Sequence, residues 1–244
     1  MKEIIAFILL AVLQMQNIYG QVSESMTVPV DTTQMLCHHE HFNCRQLVIP
    51  TLMIGTGVLG LTSDWVETKN HTLKDNLVGD RQNNKIKVDG YTEYLPVATV
   101  YALNLCGIKG EHSMRDYTVI AVTSLVMESV TTEILKRSIY EKRPDETDNR
   151  SFPSGHTAMA FMGAELLRHE YRDVSPWIGV AGYAVATGTG FLRIYNNRHW
   201  LTDVIAGAGI GILSAKASYW LFPYISRKLL KKKPQSSAHC LANY

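Results

Sequence analysis

The chain has 244 residues, 46% of them hydrophobic, which is enough to bury the core of one domain. Its formal net charge of +2 gives no electrostatic case for a nucleic-acid partner, and its four cysteines are too few for a disulfide-rich scaffold. The mean hydropathy of −0.05 is low for a polytopic membrane protein, so composition leaves both a soluble and a membrane-associated bundle open.

Residues 1–20 predict export from the cytoplasm. Lys2 precedes an uncharged apolar run at residues 4–13, and Gly20 supplies a small residue where a signal peptidase would cut. This is the pattern of a secretory signal peptide. An uncleaved signal anchor is the main alternative and a buried core helix is the third. Either exported form places the rest of the chain outside the cytoplasm.

The next segment, residues 21–93, is predicted to be an exported lead-in with one apolar helix. It begins as a polar, aperiodic stretch that contains CHHEHFNC, bounded by Cys37 and Cys44. Adjacent Cys and His residues without C-x-x-C or H-x-x-x-H spacing fit a zinc site poorly. A disulfide-closed or exposed loop is therefore favoured over a metal site.

Residues 47–62 form the apolar part of this lead-in. They contain Pro50 and fall short of the ~20 residues of a straight membrane span. A tilted or partial membrane helix and a buried helix both fit them. Residues 63–93 are polar and are predicted to be a surface excursion.

Residues 94–225 are predicted to form the helical core. Their apolar segments lack the period-two alternation of strands, so the expected fold class is all-α: a bundle of about six helices, embedded in or associated with a membrane. Cys106 lies in an apolar run and is expected to be a small core residue. A basic tail follows at residues 226–244. The predicted helices span residues 94–108, 117–135, 154–169, 177–192 and 203–224.

A lysine and an arginine stand seven residues apart near the end of one predicted helix. Lys136 and Arg143 would project from one face if the helix persisted for two turns, and Pro144 disfavours helix at the residue before it. A point charge and a planar guanidinium at a helix end suit a phosphate. When Lys136 and Arg143 are considered alone, a solvated run of charges explains them better than a phosphate site does. Glu128 and Glu133 precede them without an assigned role.

The sequence PSGHT predicts a helix start beside an anion. Pro153 and Ser154 are typical of a helix start, and Gly155 permits close approach of the backbone to a ligand. The first amides of that helix would face the anion, supported by the helix dipole. His156 would then stand at the mouth of the site, where it can donate or accept a proton.

A third block combines Arg193, His199 and Asp203. The last two are four residues apart, so on a helix the carboxylate can hold one imidazole nitrogen and leave the other free to attack. A helix-start ion pair is the structural alternative. The neighbours could contact substrate or simply form a surface loop: Asn196, Asn197, Arg198 and Trp200.

In this order and spacing the three blocks resemble the signature of the type 2 phosphatidic acid phosphatase (PAP2) and vanadium haloperoxidase superfamily: K-x6-R-P, P-S-G-H and S-R-x5-H-x3-D. The resemblance covers roughly residues 94–225. Two features depart from it. Leu192 replaces the usual serine, and only eight residues separate Pro144 from Pro153, which suggests a short rim with room for a large substrate.

The resemblance implies phosphoryl transfer without a metal or other cofactor. His199 is then the nucleophile that forms a phosphohistidine, Asp203 orients it, and His156 protonates the leaving alkoxide and later activates water. The remaining site residues would neutralise the transferring phosphoryl group. They are Lys136, Arg143, Arg193 and the amides near Ser154 and Gly155.

Bacterial envelope lipid phosphatases, including those that trim lipid A, are the members this chain most resembles. The expected substrate is a membrane phospholipid or lipid A-type phosphate monoester. If residues 203–224 cross the inner membrane, the basic tail lies in the cytoplasm and the site faces the periplasm. The alternatives are a soluble periplasmic non-specific acid phosphatase, a non-catalytic binder of anionic headgroups and, least favoured, a haloperoxidase.

Overall fold

The computed structural model describes residues 44–79, 86 and 88–229. Within this part of the chain there are eight α-helices and no β-strand, which confirms the all-α class. The signal or anchor segment, most of the CHHEHFNC sequence and most of the basic tail lie outside the described residues. The helices are α1 (Arg45–Leu59), α2 (Asp64–Val78), α3 (Asp89–Thr92), α4 (Leu95–Leu105), α5 (Met114–Ser138), α6 (Gly155–Tyr171), α7 (Pro176–Tyr195) and α8 (Leu201–Leu229).

Local chemistry explains where several helices begin. The Ser113 hydroxyl accepts a hydrogen bond from the Asp116 amide at 3.2 Å and so caps α5. Pro96 and Pro176 stand in the first turns of α4 and α7, where a missing N–H leaves no bond unmade. Ser154 precedes α6 with an extended backbone, as predicted.

The central helix is α6, which packs against both α7 and α8. α8 approaches it through glycines. A Cβ at Gly207 would lie 2.4 Å from the Ser154 carbonyl oxygen, and one at Gly211 would lie 2.1 Å from the Ala158 carbonyl oxygen. Because only glycine lacks a Cβ, the glycines of the sequence AGAGIGIL in α8 allow this close helix approach. This contact fixes the start of α6 against α8.

Two helices are long and apolar enough to cross a membrane: α5 and residues Leu201–Ser226 of α8. Only 28% of the most apolar window of α5 is buried, so this helix presents an apolar face outside the bundle, as a lipid-facing helix does. α1 and α2 meet at 89° and together form a third candidate, as a broken span or a re-entrant loop. The exposed apolar side chains of α5 include Val122, Leu125, Val126, Val130 and Ile134.

Residues 63–93, predicted to be a surface excursion, supply α2 and α3. Most side chains of α2 are exposed, but three polar side chains of the segment are buried. Asn70 is buried and donates a hydrogen bond to the Thr202 hydroxyl at 2.9 Å. Asp89 and Glu93 are buried as well. Composition alone does not reveal such partners.

The expectation that Cys106 is a core residue is wrong, since its side chain is exposed. α4 ends at Leu105, and Gly107 adopts a φ of +87° that turns the chain away from the helix. The apolar run therefore continues past the end of the helix that buries its first part. Cys44 is exposed as well, and its expected partner Cys37 lies outside the described residues.

Candidate active site

Lys136 reaches the start of α6 from the last turn of α5. Its Nζ lies 3.3 Å from the position that a Cβ on Gly155 would occupy, so the glycine leaves room for the ammonium group. α5 ends at Ser138, five residues before the junction expected at Arg143, because the chain becomes extended at Ile139. Arg143 therefore comes from a loop, and its Nε donates to Asp148 at 2.8 Å.

The start of α6 is anchored to α8. The Ser154 amide donates to the Asp203 carbonyl oxygen at 3.1 Å, and the Ser154 hydroxyl lies 2.9 Å from the Thr157 hydroxyl. The Ser154 amide is thus engaged, which corrects the expectation that it faces the phosphate. The amides of Gly155 and the next two residues open the helix and have no intrahelical acceptor, so they are the ones available to an anion.

His199 and Asp203 form a buried pair at the start of α8. Their side chains are 1% and 0% exposed, and Nδ1 lies 3.5 Å from Oδ2, at ion-pair distance and longer than a strong hydrogen bond. Asp203 Oδ2 also accepts hydrogen bonds from the Ser151 hydroxyl and, at 2.9 Å, from the Trp200 amide. His199, Ser151 and Trp200 therefore all contact the Asp203 carboxylate. His199 Nε2 is the imidazole nitrogen that is left to react.

Burial lowers the pKa of His199, and the Arg193 and Arg143 charges act in the same direction against the raising effect of Asp203. The imidazole is therefore neutral at physiological pH, which is the state that a nucleophile needs. Sequence spacing predicted the His199–Asp203 pair but not Ser151, whose only sequence signal is its place directly before FPSGH.

A short helix supplies two carboxylates that the sequence interpretation missed. On α3, Asp89 binds Arg193 through Nη1, and both side chains are about nine-tenths buried. Four residues later, Glu93 Oε1 lies 3.6 Å from His156 Nε2. The i,i+4 spacing within DGYTE was the available signal, since it puts both acids on one helical face.

Arg193 keeps one donor for a ligand. Its Nη1 is taken by Asp89, but its buried Nε has no hydrogen-bond partner among the described residues. A buried guanidinium N–H without an acceptor is costly, so an oxygen of a bound phosphate would satisfy it. This geometry supports the phosphate-binding role predicted for Arg193.

A cavity of about 820 Å³ opens beside His156 between α5 and α6. It combines an acidic end, with Glu93 and the buried Glu128, and an apolar wall. Glu128 and Glu133, which had no role from sequence, both line it. Its apolar wall consists of Leu125, Val130, Ile134 and Met159.

His156 and its neighbour Glu93 have shifted pKa values. Burial, and next the Arg193 charge, lower the pKa of His156 to about 4. Burial raises the pKa of Glu93 to about 7. At pH values between these two pKa values the two side chains therefore hold about one proton between them, adjacent to the cavity.

The residues between Arg193 and Asp203 have structural partners. Asn196 makes two hydrogen bonds to the Ile86 backbone, at 2.8 and 2.9 Å. Arg198 pairs with Asp145 at 3.2 Å, and the Trp200 indole donates to the Lys142 carbonyl at 2.9 Å. These contacts give Asn196, Arg198 and Trp200 structural partners, and Asn196 and Asn197 are buried rather than part of an exposed loop.

One further group of possible metal ligands lies near the opposite end of α6. The ligand atoms of Glu111, His112 and His169 lie within 4.8 Å of one another. However, His112 Nδ1 is 2.9 Å from Glu170 and Glu111 is 3.2 Å from Arg172. These ion pairs account for the cluster without an ion, and we assign no metal to it.

Comparison with known proteins supports the family resemblance. Residues 117–227 match the family model described as PAP2 superfamily. This part of the chain is therefore similar to that superfamily. The six side chains predicted from the three blocks all lie within the matched residues, whereas Asp89 and Glu93 lie before them.

Two curated relatives share substantial identity with part of this chain. The lipid A 1-phosphatase of Porphyromonas gingivalis is 39% identical over 155 residues, which cover 60% of this chain and 35% of the relative. The bacitracin transport permease protein BcrC of Bacillus licheniformis is 36% identical over 81 residues, 33% of this chain and 37% of the relative. The chain thus spans little more than a third of the length of these relatives.

A solved structure supports the fold. The PAP2-type phosphatidylglycerolphosphate phosphatase of Bacillus subtilis, described as transmembrane, superposes with a TM-score of 0.52 at 18% identity, covering 78% of this chain and 99% of that one. The similarity concerns the fold alone. It agrees with an all-helical bundle that contains helices long enough to cross a membrane.

Proposed function

We propose that this protein is a membrane lipid phosphatase that hydrolyses a phosphate monoester of the lipid A or phosphatidic acid type through a phosphohistidine on His199. One observation carries the proposal: the buried His199–Asp203 pair meets the amino end of α6 and the cations Lys136 and Arg193. A neutral, oriented imidazole beside an anion site is suited to nucleophilic attack on phosphorus.

In the first half-reaction, His199 Nε2 attacks phosphorus. The P–N bond forms, the P–O bond to the lipid breaks, and the leaving oxygen takes a proton from His156. Lys136, Arg143 and Arg193 neutralise the phosphoryl oxygens as the charge moves. The first amides of α6 act on the same oxygens.

In the second half-reaction, His156 removes a proton from water. The water oxygen attacks phosphorus, the P–N bond breaks, and inorganic phosphate leaves neutral His199 ready for another cycle. One residue serves as acid and then as base because the second step reverses the proton flow of the first. Asp203 keeps Nδ1 oriented throughout.

A lipid substrate fits the surroundings of the site. The cavity beside His156 has an apolar wall contributed largely by α5, whose outer face is also apolar and exposed. A soluble periplasmic acid phosphatase would gain nothing from that face and would aggregate through it. The relative that acts on lipid A by name supports the same substrate class.

The proposed location is the inner membrane of a bacterial envelope, with the site facing the periplasm. α5 runs toward Lys136 and α8 runs away from His199, so both candidate spans meet the site at one side. The basic run that begins at Arg227 follows the other end of α8. By the positive-inside rule that end is cytoplasmic, which leaves the site outside the cytoplasm.

Phosphate release from lipid A and from phosphatidic acid by purified protein in detergent tests this function. The wild type should release phosphate from at least one of them, and His199→Ala should abolish release. A binder of anionic headgroups would release none as wild type and would retain affinity as His199→Ala. Normal turnover by His199→Ala would contradict the mechanism.

A further inference from the structure

The two carboxylates of the α3 region each contact a different functional side chain of the site. Asp89 binds Arg193, and one helical turn later Glu93 lies against His156. Both acids are buried, at 6% and 7% exposure. The segment is outside the matched PAP2 residues, and burying two acids there is costly unless both have partners.

The Glu93 carboxylate faces one of the two ring nitrogens of His156. Its Oε1 lies 3.6 Å from His156 Nε2, and both residues line the same cavity. With Nε2 directed at Glu93, Nδ1 is the nitrogen left for a substrate oxygen. The titratable groups that act on the pair include Tyr94, whose side chain hydrogen-bonds Glu93, and they are Asp89, Tyr94, Glu128, Lys136, Arg193 and His199.

The cations around His156 disfavour its protonated form, and a neighbouring carboxyl group can compensate for this effect. Partial burial, the Arg193 charge and the Lys136 charge oppose protonation of His156, whereas Asp89 favours it, yet His156 must give a proton to an alkoxide. A histidine alone would rarely carry that proton. A neighbouring acid that keeps its own proton near neutral pH can supply it.

We propose, on the basis of the function proposed above, that Glu93 is a positioning residue that shares one proton with His156 and delivers it through the imidazole ring. Before reaction the Glu93 carboxyl is protonated and faces Nε2, while Nδ1 carries a hydrogen. As the P–O bond breaks, the Nδ1 proton moves to the leaving oxygen and the Glu93 proton moves to Nε2. The products are a Glu93 carboxylate and a neutral ring.

The second half-reaction restores the starting state. Nδ1 takes a proton from the attacking water, and the proton on Nε2 returns to Glu93. No proton is gained or lost by the pair over the cycle. Glu93 thereby does for His156 what Asp203 does for His199, with the difference that its own proton moves.

The experiment compares two substrates with Glu93→Gln in the full-length protein. The leaving alkoxide of phosphatidic acid needs a proton, whereas p-nitrophenolate leaves without one. We expect turnover of phosphatidic acid to fall by ~10²-fold or more, within the range of acid–base catalysis. The first-turnover burst of nitrophenolate from p-nitrophenyl phosphate reports phosphorylation of His199 alone, and its rate should fall by less than about tenfold, below that range. The ratio of the two losses does not depend on how much of the variant is folded.

The pH profile provides a second readout that a merely structural role would not change. Wild-type turnover of phosphatidic acid should decline as pH rises through the Glu93 pKa of about 7. In Glu93→Gln the decline should begin at lower pH, because His156, with a pKa of about 4, is then the sole acid. An unchanged profile would overturn the inference.

Glu67→Gln is the matched control. Glu67 is exposed and lies 3.9 Å from His71, so the substitution removes a carboxylate from an exposed Glu–His pair. Both substrates should be turned over normally by this variant. Equal losses on the two substrates in Glu93→Gln, or no loss, would reject the proton-sharing role while the proposed function stands. A wild type inactive on both substrates would reject both.

Discussion

Gly207→Ala tests the contact that holds the active site together. A Cβ at this position would lie 2.4 Å from the Ser154 carbonyl oxygen, and the contacting atom is backbone rather than a flexible side chain. One of the two helices must therefore shift. Overpacking of this kind costs about 1–3 kcal/mol, and the shift acts directly on the bond from the Ser154 amide to the Asp203 carbonyl.

Gly188→Ala is the matched control because it makes the same change inside a helix with nothing within 4 Å of the new methyl group. Replacing a mid-helix glycine at an open position stabilises by about 0.5–1 kcal/mol. The two variants should therefore differ by roughly 1.5–4 kcal/mol in unfolding free energy, the sum of the two effects.

The assay is denaturant unfolding in detergent micelles, paired with phosphate release. Gly207→Ala should also lose about 10²-fold in turnover, the cost of misplacing catalytic groups by about 1 Å. Gly188→Ala should keep wild-type activity. If the two variants prove equally stable and equally active, the close approach of α8 to α6 does not position the site.

Three further predictions concern the site residues. Ser151→Ala removes a hydrogen bond to the Asp203 carboxylate; since such bonds contribute ~1.5–3 kcal/mol, kcat should fall by about tenfold to a hundredfold with KM unchanged. Asp89→Ala leaves the buried Arg193 charge unpaired, and the unfolding free energy should fall by ~3–5 kcal/mol, with little change if Arg193 were solvated. Because the folded pKa of His156 is depressed to about 4, its contribution to stability is full above the unfolded value of about 6.5 and is lost as pH falls toward 4. In His156→Gln the urea midpoint should change less with pH across that window than it does in the wild type. An unchanged pH dependence of the midpoint would contradict the lowered pKa.

Sequence spacing predicted the nucleophilic side of the site well. His199 stands two residues before α8 begins at Leu201, Asp203 lies in its first turn, and their side chains approach to 3.5 Å, so the pair depends on local chain geometry. The stripe of small residues around Gly207 likewise indicates close helix packing, because small residues let two helix backbones approach each other. These features depend on residues near one another in the chain.

The acid side of the site was missed for the opposite reason. Asp89 and Glu93 lie in a polar segment, and polarity argues for the surface until a partner is known. Their partners, Arg193 and His156, are distant in sequence, so only the fold reveals them. The Ser154 amide was misassigned in the same way, since its acceptor on Asp203 comes from another helix.

A covalent intermediate on His199 is the most direct test of the central claim. In His156→Ala, p-nitrophenyl phosphate should still phosphorylate His199, because its leaving group needs no acid, while hydrolysis of the intermediate lacks its base. Rapid-quench kinetics should show a burst of one nitrophenolate per active protein, and mass spectrometry should locate the phosphate on His199. Absence of the burst, or a label that persists in the His156→Ala, His199→Ala double variant, would contradict the mechanism.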